Sequence, residues 1–169
     1  YVVNKLAKGY LGTANIDTNS RLCMSSAVAA HQRAFGEDLV PACYEDLAQA
    51  ELVVLVGSNT AWCHPVAFQR IAQAKAAGAK LVVIDPRFTA TCESADLHLP
   101  IKPGTDVWLF NGLLAFLFRH GVMDVAFVDT DTDGMNAALA VASAEAGDPD
   151  AVARMCGVQP ADLLAFYRL

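Results

Sequence analysis

Two short runs, LVVLVG at 52–57 and KLVVID at 80–85, constrain the fold more than any other feature of the chain. Each is β-branched and apolar with no polar alternation, and each ends in a turn-prone residue, which is the pattern of a strand buried on both faces of a parallel sheet. The stretch between them, HPVAFQRIAQAKAAGA, reads as a helix. Pro65 stands where a first turn tolerates a missing N–H, Val66, Ile71 and Ala74 supply apolar positions, and Gly78 provides the stop. Strand, helix and strand in that order make a right-handed crossover unit. A third strand is predicted for DLHLPI at 96–101, and PGTD then opens a long apolar helix, VWLFNGLLAFLFRHG. Residues 86–95 are a short connection for a parallel crossover, so the direction of the third strand stays open.

The flanks read as helical. YVVNKLAKGYLG looks like the tail of a helix, CMSSAVAAHQRAFG like a helix stopping at Gly36, and YEDLAQA at 44–50 like a short helix before the first strand. Beyond the core, helices are predicted around Val125 to Val128, from Met135 to Ala146, in DPDAVARMCG and in QPADLLAFYRL, with Gly134, Gly147 and Gly157 as punctuation. The expected fold is α/β: one cofactor-binding domain over 1–169, with a mostly helical lead-in at 1–50, a Rossmann-like parallel sheet flanked by helices at 51–120, and a helical part at 121–169. No repeat, low-complexity tract or linker divides it.

Composition narrows the function. Hydrophobic residues make up 54% of the chain and charged residues 18%, which is rich in buried-type side chains and implies that part of the surface meets more protein. A net charge of −6 without a lysine-rich run disfavours nucleic acid as a partner. The five cysteines, at 23, 43, 63, 92 and 156, are odd in number and contain no CxxC pair, which fits neither a disulfide framework nor a metal-cluster nest and points to a reducing compartment. No stretch is long and apolar enough for a membrane span, and the opening residues lack the layout of a signal peptide. With no initiating Met and an apolar end, LLAFYRL, the chain is expected to be an internal piece of a longer polypeptide.

Some features carry less than they promise. DTDTDG at 129–134 opens like a calcium loop, but its twelfth position is Ala140 instead of a bidentate Glu. His31, His98 and His120 show no ligand spacing and read as surface or packing residues, and Ser25 and Ser26 lack a nucleophile elbow.

Ligands of an open parallel sheet collect beyond the carboxyl ends of its strands. Three polar stretches fall there: GSNTAWCHP, DPRFT and KPGTD. Gly57, Ser58, Asn59 and Thr60 allow close backbone approach to a phosphate. Asp85 stands where a ribose-binding acid ends its strand, and Arg87 can pair with a phosphate as a fork. Thr105 is placed to cap the next helix, and Asp106 in its first turn can accept the N–H donors of a guanine. Taken singly these are ordinary turns and caps; together they suit a nucleotide. GxGxxG is absent, which argues against an ordinary NAD site. Cys23, read as the opening residue of a helix with Arg21 near, has the surroundings of a thiolate able to ligate a metal, and equally those of an inert buried thiol.

The run NSRLCMSSA, Asn19 to Ala27, together with the three loops, resembles the molybdenum-bis(molybdopterin guanine dinucleotide) oxidoreductases, and within them the nitrate reductases. The resemblance covers nearly the whole chain. It implies that Cys23 ligates molybdenum and that Asn19 contacts the pterin. It further implies cofactor contacts at Gly57, Ser58, Asn59, Thr60 and His64, at Asp85, Pro86, Arg87, Phe88 and Thr89, and at Gly104, Thr105 and Asp106. Met24 after the cysteine is similar to nitrate reductases, where formate dehydrogenases typically have His; GSNTAWCHP looks most like the assimilatory, cytoplasmic branch. The implied partners are nitrate, an electron-donor protein and the remaining domains of the same polypeptide. The [4Fe-4S] centre and later cofactor-binding domain of the family are not in this stretch, so the segment alone is expected to be inactive. Formate dehydrogenase and a non-catalytic α/β nucleotide-binding module are the alternatives.

Overall fold

The computed structural model describes residues 1–18 and 20–169, in two compact units, Tyr1–Cys43 and Tyr44–Leu169. In the first unit, α1 (Val2–Asn4) continues into a π-helix (Lys5–Tyr10), and α2 (Ser20–Cys23) precedes α3 (Ser25–Phe35). Gly36 ends α3 with φ +81°, a left-handed conformation that a glycine adopts without strain. None of the described residues of this unit is buried.

The structure departs from the sequence expectation at Cys23. Cys23 does not open the helix: it closes the short α2, Met24 interrupts with φ −118° and ψ 5°, and α3 begins at Ser25. The Ser25 hydroxyl donates to the Leu22 carbonyl at 3.2 Å, stabilising the break through a local side-chain bond. Cys23 therefore lies outside the first turn of α3, where the dipole argument would have placed it.

The second unit is built on three parallel strands, β1 (Leu52–Val56), β2 (Lys80–Ile84) and β3 (Leu97–Leu99), in spatial order β1-β2-β3. Val54 pairs with Val82 and Ile84 with Leu99. β2 is central, and its Leu81, Val82, Val83 and Ile84 are each 1% exposed or less, which is why its sequence shows no alternation. The period of two still sorts its side chains. Val82 and Ile84 face a core with Leu99, Leu109, Val152, Leu163 and Phe166, whereas Leu81 and Val83 face Val53, Ile71 and Cys92.

Helices cover both faces. On one side lie α4 (Asp46–Gln49) and α6 (Pro65–Ala76), the crossover from β1 to β2, with α5 (Thr60–Cys63) just before it. On the other lie α7 (Asp106–Arg119), α10 (Pro149–Cys156) and α11 (Pro160–Tyr167). α8 (Val125–Asp131) and α9 (Met135–Ala146) connect them, α9 packing on α7. β2 and β3 are parallel despite their short connection because a 3-10 helix, Ala90–Ser94, makes the crossover, burying Cys92 in the same core as Ile71. The DTDTDG run lies at the end of α8 and in the turn after it. Among the described residues no helix is long and apolar enough to cross a membrane.

Candidate cofactor site

Because all three strands run the same way, the loops after them leave one end of the sheet. The first two are tied together. The N–H of Gly57 donates to the Ile84 carbonyl at 2.8 Å, extending the β1–β2 ladder by one residue. Gly57 then turns with φ +59°, and a Cβ there would meet nothing within 4 Å, so this glycine is required by conformation and leaves open space above it. Asn59 precedes α5, and its carbonyl accepts the N–H groups of Trp62 and Cys63. The Ser58 and Thr60 hydroxyls lie 2.8 Å apart, with Thr60 buried. His64 and Trp62 are exposed.

In the second loop Asp85 is buried and its Oδ1 accepts the Arg87 N–H at 2.8 Å, so the carboxylate shapes the turn as well as ending the strand. The Arg87 guanidinium lies 4.0 Å from the same oxygen and is largely exposed. Pro86 and Phe88 are exposed. Thr89 is buried; its N–H donates to Cys92 Sγ at 3.3 Å and its hydroxyl lies 3.6 Å from the same sulfur, so its polar atoms serve the 3-10 turn.

The third loop is anchored to α10. Lys102 N–H donates to the Cys156 carbonyl, and the Cys156 thiol, whose ionisation burial pushes upward, donates to the Thr105 carbonyl. Gly104 has φ +84° with open space around it. Thr105 stands at the N-cap position of α7, but its hydroxyl donates back to the Lys102 carbonyl at 2.6 Å and caps nothing, contrary to the sequence expectation. Asp106 is exposed in the first turn of α7.

The structure thus brings Gly57 to Thr60 and Asp85 to Thr89 together at one sheet edge, with Gly104, Thr105 and Asp106 following β3 at the same end. His64 lies between α5 and α6. Cys23 is exposed in the first unit, and Asn19 lies outside the described residues. Among the described residues no cluster of three or more His, Cys, Asp or Glu could hold a metal ion.

Two residues that sequence reasoning missed organise this edge. Thr91 is fully buried; its hydroxyl accepts the Ala61 N–H at 3.1 Å and donates to Asn59 Oδ1 at 3.0 Å, pinning the first loop to the second. His98 Nε2 donates to the Asp85 carbonyl at 2.8 Å, while Phe88 meets the imidazole edge-on at 5.5 Å. A polar residue in the middle of an otherwise apolar strand was the available signal for His98. Thr91 had none, because its partners lie 30 and 32 residues away.

Comparison with known proteins gives the chain a family. The family model described as molybdopterin oxidoreductase matches residues 1–124. The chain belongs to that family. It is 56% identical over its full length to a nitrate reductase of Shewanella frigidimarina, covering 18% of that protein, and 51% identical over 99% of its length to a nitrate reductase of Klebsiella oxytoca, covering 19%. Acetylene hydratase from Pelobacter acetylenicus has a similar structure, with a TM-score of 0.75 and 26% identity over 93% of this chain and 21% of that one. The chain therefore spans about a fifth of the length of the relatives it matches.

Proposed function

We propose that this chain is the part of a molybdenum-dependent nitrate reductase that holds a molybdopterin guanine dinucleotide cofactor and supplies Cys23 as the protein ligand to the metal. The observation that carries this reading is the match, over the whole chain, to nitrate reductases.

The residues present fit such a group. Gly57 and Gly104 leave space where a side chain would intrude, which suits close approach of a dinucleotide to the backbone. The groups around them include a guanidinium at Arg87, an amide at Asn59 and carboxylates at Asp85 and Asp106. These match the phosphates, ribose and guanine of the dinucleotide in kind.

When bound, the cofactor carries the two-electron chemistry by which nitrate loses an oxygen atom and becomes nitrite. This chain's residues bind and orient. Arg87 would neutralise phosphate charge, Gly57 would admit close approach to the backbone, Asn59 and the backbone N–H of Ser58 would donate hydrogen bonds, and Asp106 would accept from the guanine edge. His64, Pro86, Phe88, Thr60, Thr89, Gly104 and Thr105 would line the contact, and Asn19 is proposed as a pterin contact. Cys23 offers an exposed sulfur. We assign the rest of the polypeptide a [4Fe-4S] centre fed by a donor protein. A cytoplasmic location is supported by the sequence, whose cysteines are odd in number and contain no CxxC pair, as suits a reducing compartment.

The test is a pair of turnover assays on the complete polypeptide, with nitrate and with formate. Nitrite formation without formate oxidation is the expected result. Formate oxidation alone would move the protein to the neighbouring activity, and guanine-nucleotide binding without molybdenum would make it a non-catalytic module.

A further inference from the structure

We infer that Thr91 is a positioning residue that holds Asn59 with its amide NH2 turned away from Thr91, making Asn59 a donor-only group toward an anionic ligand at the first loop. The inference rests on the cofactor reading above and adds to it which residue sets the polarity of the contact.

One proton decides the orientation of the amide. A threonine hydroxyl has a single hydrogen and two lone pairs. The backbone N–H of Ala61 points at Thr91 Oγ1 from 3.1 Å and can only donate, so the oxygen accepts there. Thr91 is fully buried, so its own hydrogen needs a protein acceptor, and the Asn59 side chain at 3.0 Å is the partner. The amide must therefore present Oδ1 to Thr91. Were it turned over, Nδ2 would be a second donor aimed at Thr91, and the hydroxyl hydrogen would lose its acceptor. With Oδ1 held, Nδ2 and its two hydrogens are turned from Thr91 on a half-buried side chain, two residues after Gly57, where a Cβ would find open space. Two N–H donors so fixed suit an acceptor-only, negatively charged group, as in the diphosphate of a dinucleotide.

The complete holoprotein tests this through the guanine nucleotide it retains with time after dilution and desalting. Thr91→Ser keeps the hydroxyl and should retain cofactor as the unmodified protein does. Thr91→Val removes it, and release should be roughly three- to tenfold faster, the size of one hydrogen bond's effect on a bound group. Asn59→Asp is the decisive variant. It still accepts from Thr91, so a purely structural role leaves it like the unmodified protein, but it replaces the outward NH2 with a carboxylate oxygen. Its release should be faster than that of Thr91→Val. In an Asn59→Ala background, Thr91→Val should have a smaller effect than in the unmodified protein, because only the Ala61 N–H then loses its acceptor.

Retention by Asn59→Asp equal to that of the unmodified protein, or additive effects of the two substitutions, would overturn the inference. Asn59→Asp decides the matter even where Thr91→Val does not fold. Unmodified protein that carries no guanine nucleotide would instead remove the cofactor reading, and this inference with it.

Discussion

At the scale of single residues, the proposed site separates a metal ligand from groups that only hold the cofactor. Cys23→Ala in the complete protein should abolish most nitrate turnover while the guanine nucleotide stays bound, because an exposed side chain can be shortened without opening a cavity. Undiminished turnover would reject the ligand assignment. Asp106→Ala should do the converse and release cofactor. Losing a first-turn acid costs a helix at most about 1 kcal/mol, too little to unfold α7, so equal cofactor content in the two proteins would rule against the guanine contact. The strand ends were legible because turn-prone Gly, Asn and Asp mark where an apolar run stops. Their hydrogen bonds were not: Asp85 spends one oxygen on the Arg87 N–H, and Thr105 turns its hydroxyl backward, choices made by loop geometry.

At the scale of elements, two contacts hold the layers on the sheet. The Asp96 carboxylate accepts from Lys75 Nζ at 2.6 Å and from the Leu81 N–H at 2.8 Å, tying α6 to β2 and to the entry of β3. The Lys75 hydrogen bond, then the Leu81 one, hold its pKa below the ordinary 3.8. The folded state thus binds that proton less readily than the unfolded state, so the carboxylate stabilises above pH 3.8 and its contribution fades as the pH falls through the lowered value. Asp96→Asn should speed hydrogen exchange at the Leu81 amide near neutrality, and the difference from the unmodified protein should close in acid below that range. A difference that persists unchanged in acid would contradict the account.

On the opposite face Gly112 lets α7 approach α10 and α11. A Cβ there would collide with the Tyr167 hydroxyl, which donates to the Leu109 carbonyl at 2.7 Å, and would lie 3.1 Å from Val152 Cγ2. Gly112→Ala should cost about 1–3 kcal/mol in thermal or denaturant unfolding; an unchanged midpoint would show that the helices can part freely.

The strands and most helices were legible because their signals are local: β-branched runs, Pro at helix starts, Gly at stops. The direction of β3 was not, since it depends on a 3-10 crossover whose packing through Cys92 is non-local. The break at Met24 escaped for a similar reason, as nothing in the apolar pattern distinguishes one helix from two.

At the scale of the whole molecule, the two units differ in what supports them. Tyr44–Leu169 has a core on each sheet face, whereas the described residues of Tyr1–Cys43 bury nothing. A segment of about 40 residues without a core does not hold itself folded. Excised 44–169 should keep its helical circular dichroism and slow exchange in β2, and excised 1–43 should show neither; a cooperative unfolding transition in 1–43 would contradict this. The unit that carries Cys23 therefore does not hold its order alone, and the complete polypeptide is where the proposed cofactor reading is tested.

Metal and nucleotide analysis of the purified complete polypeptide bears most directly on that reading. The account predicts molybdenum together with guanine nucleotide, in the proportion a bis-dinucleotide cofactor requires. Protein that turns over nitrate while containing no molybdenum, or molybdenum without guanine, would contradict it.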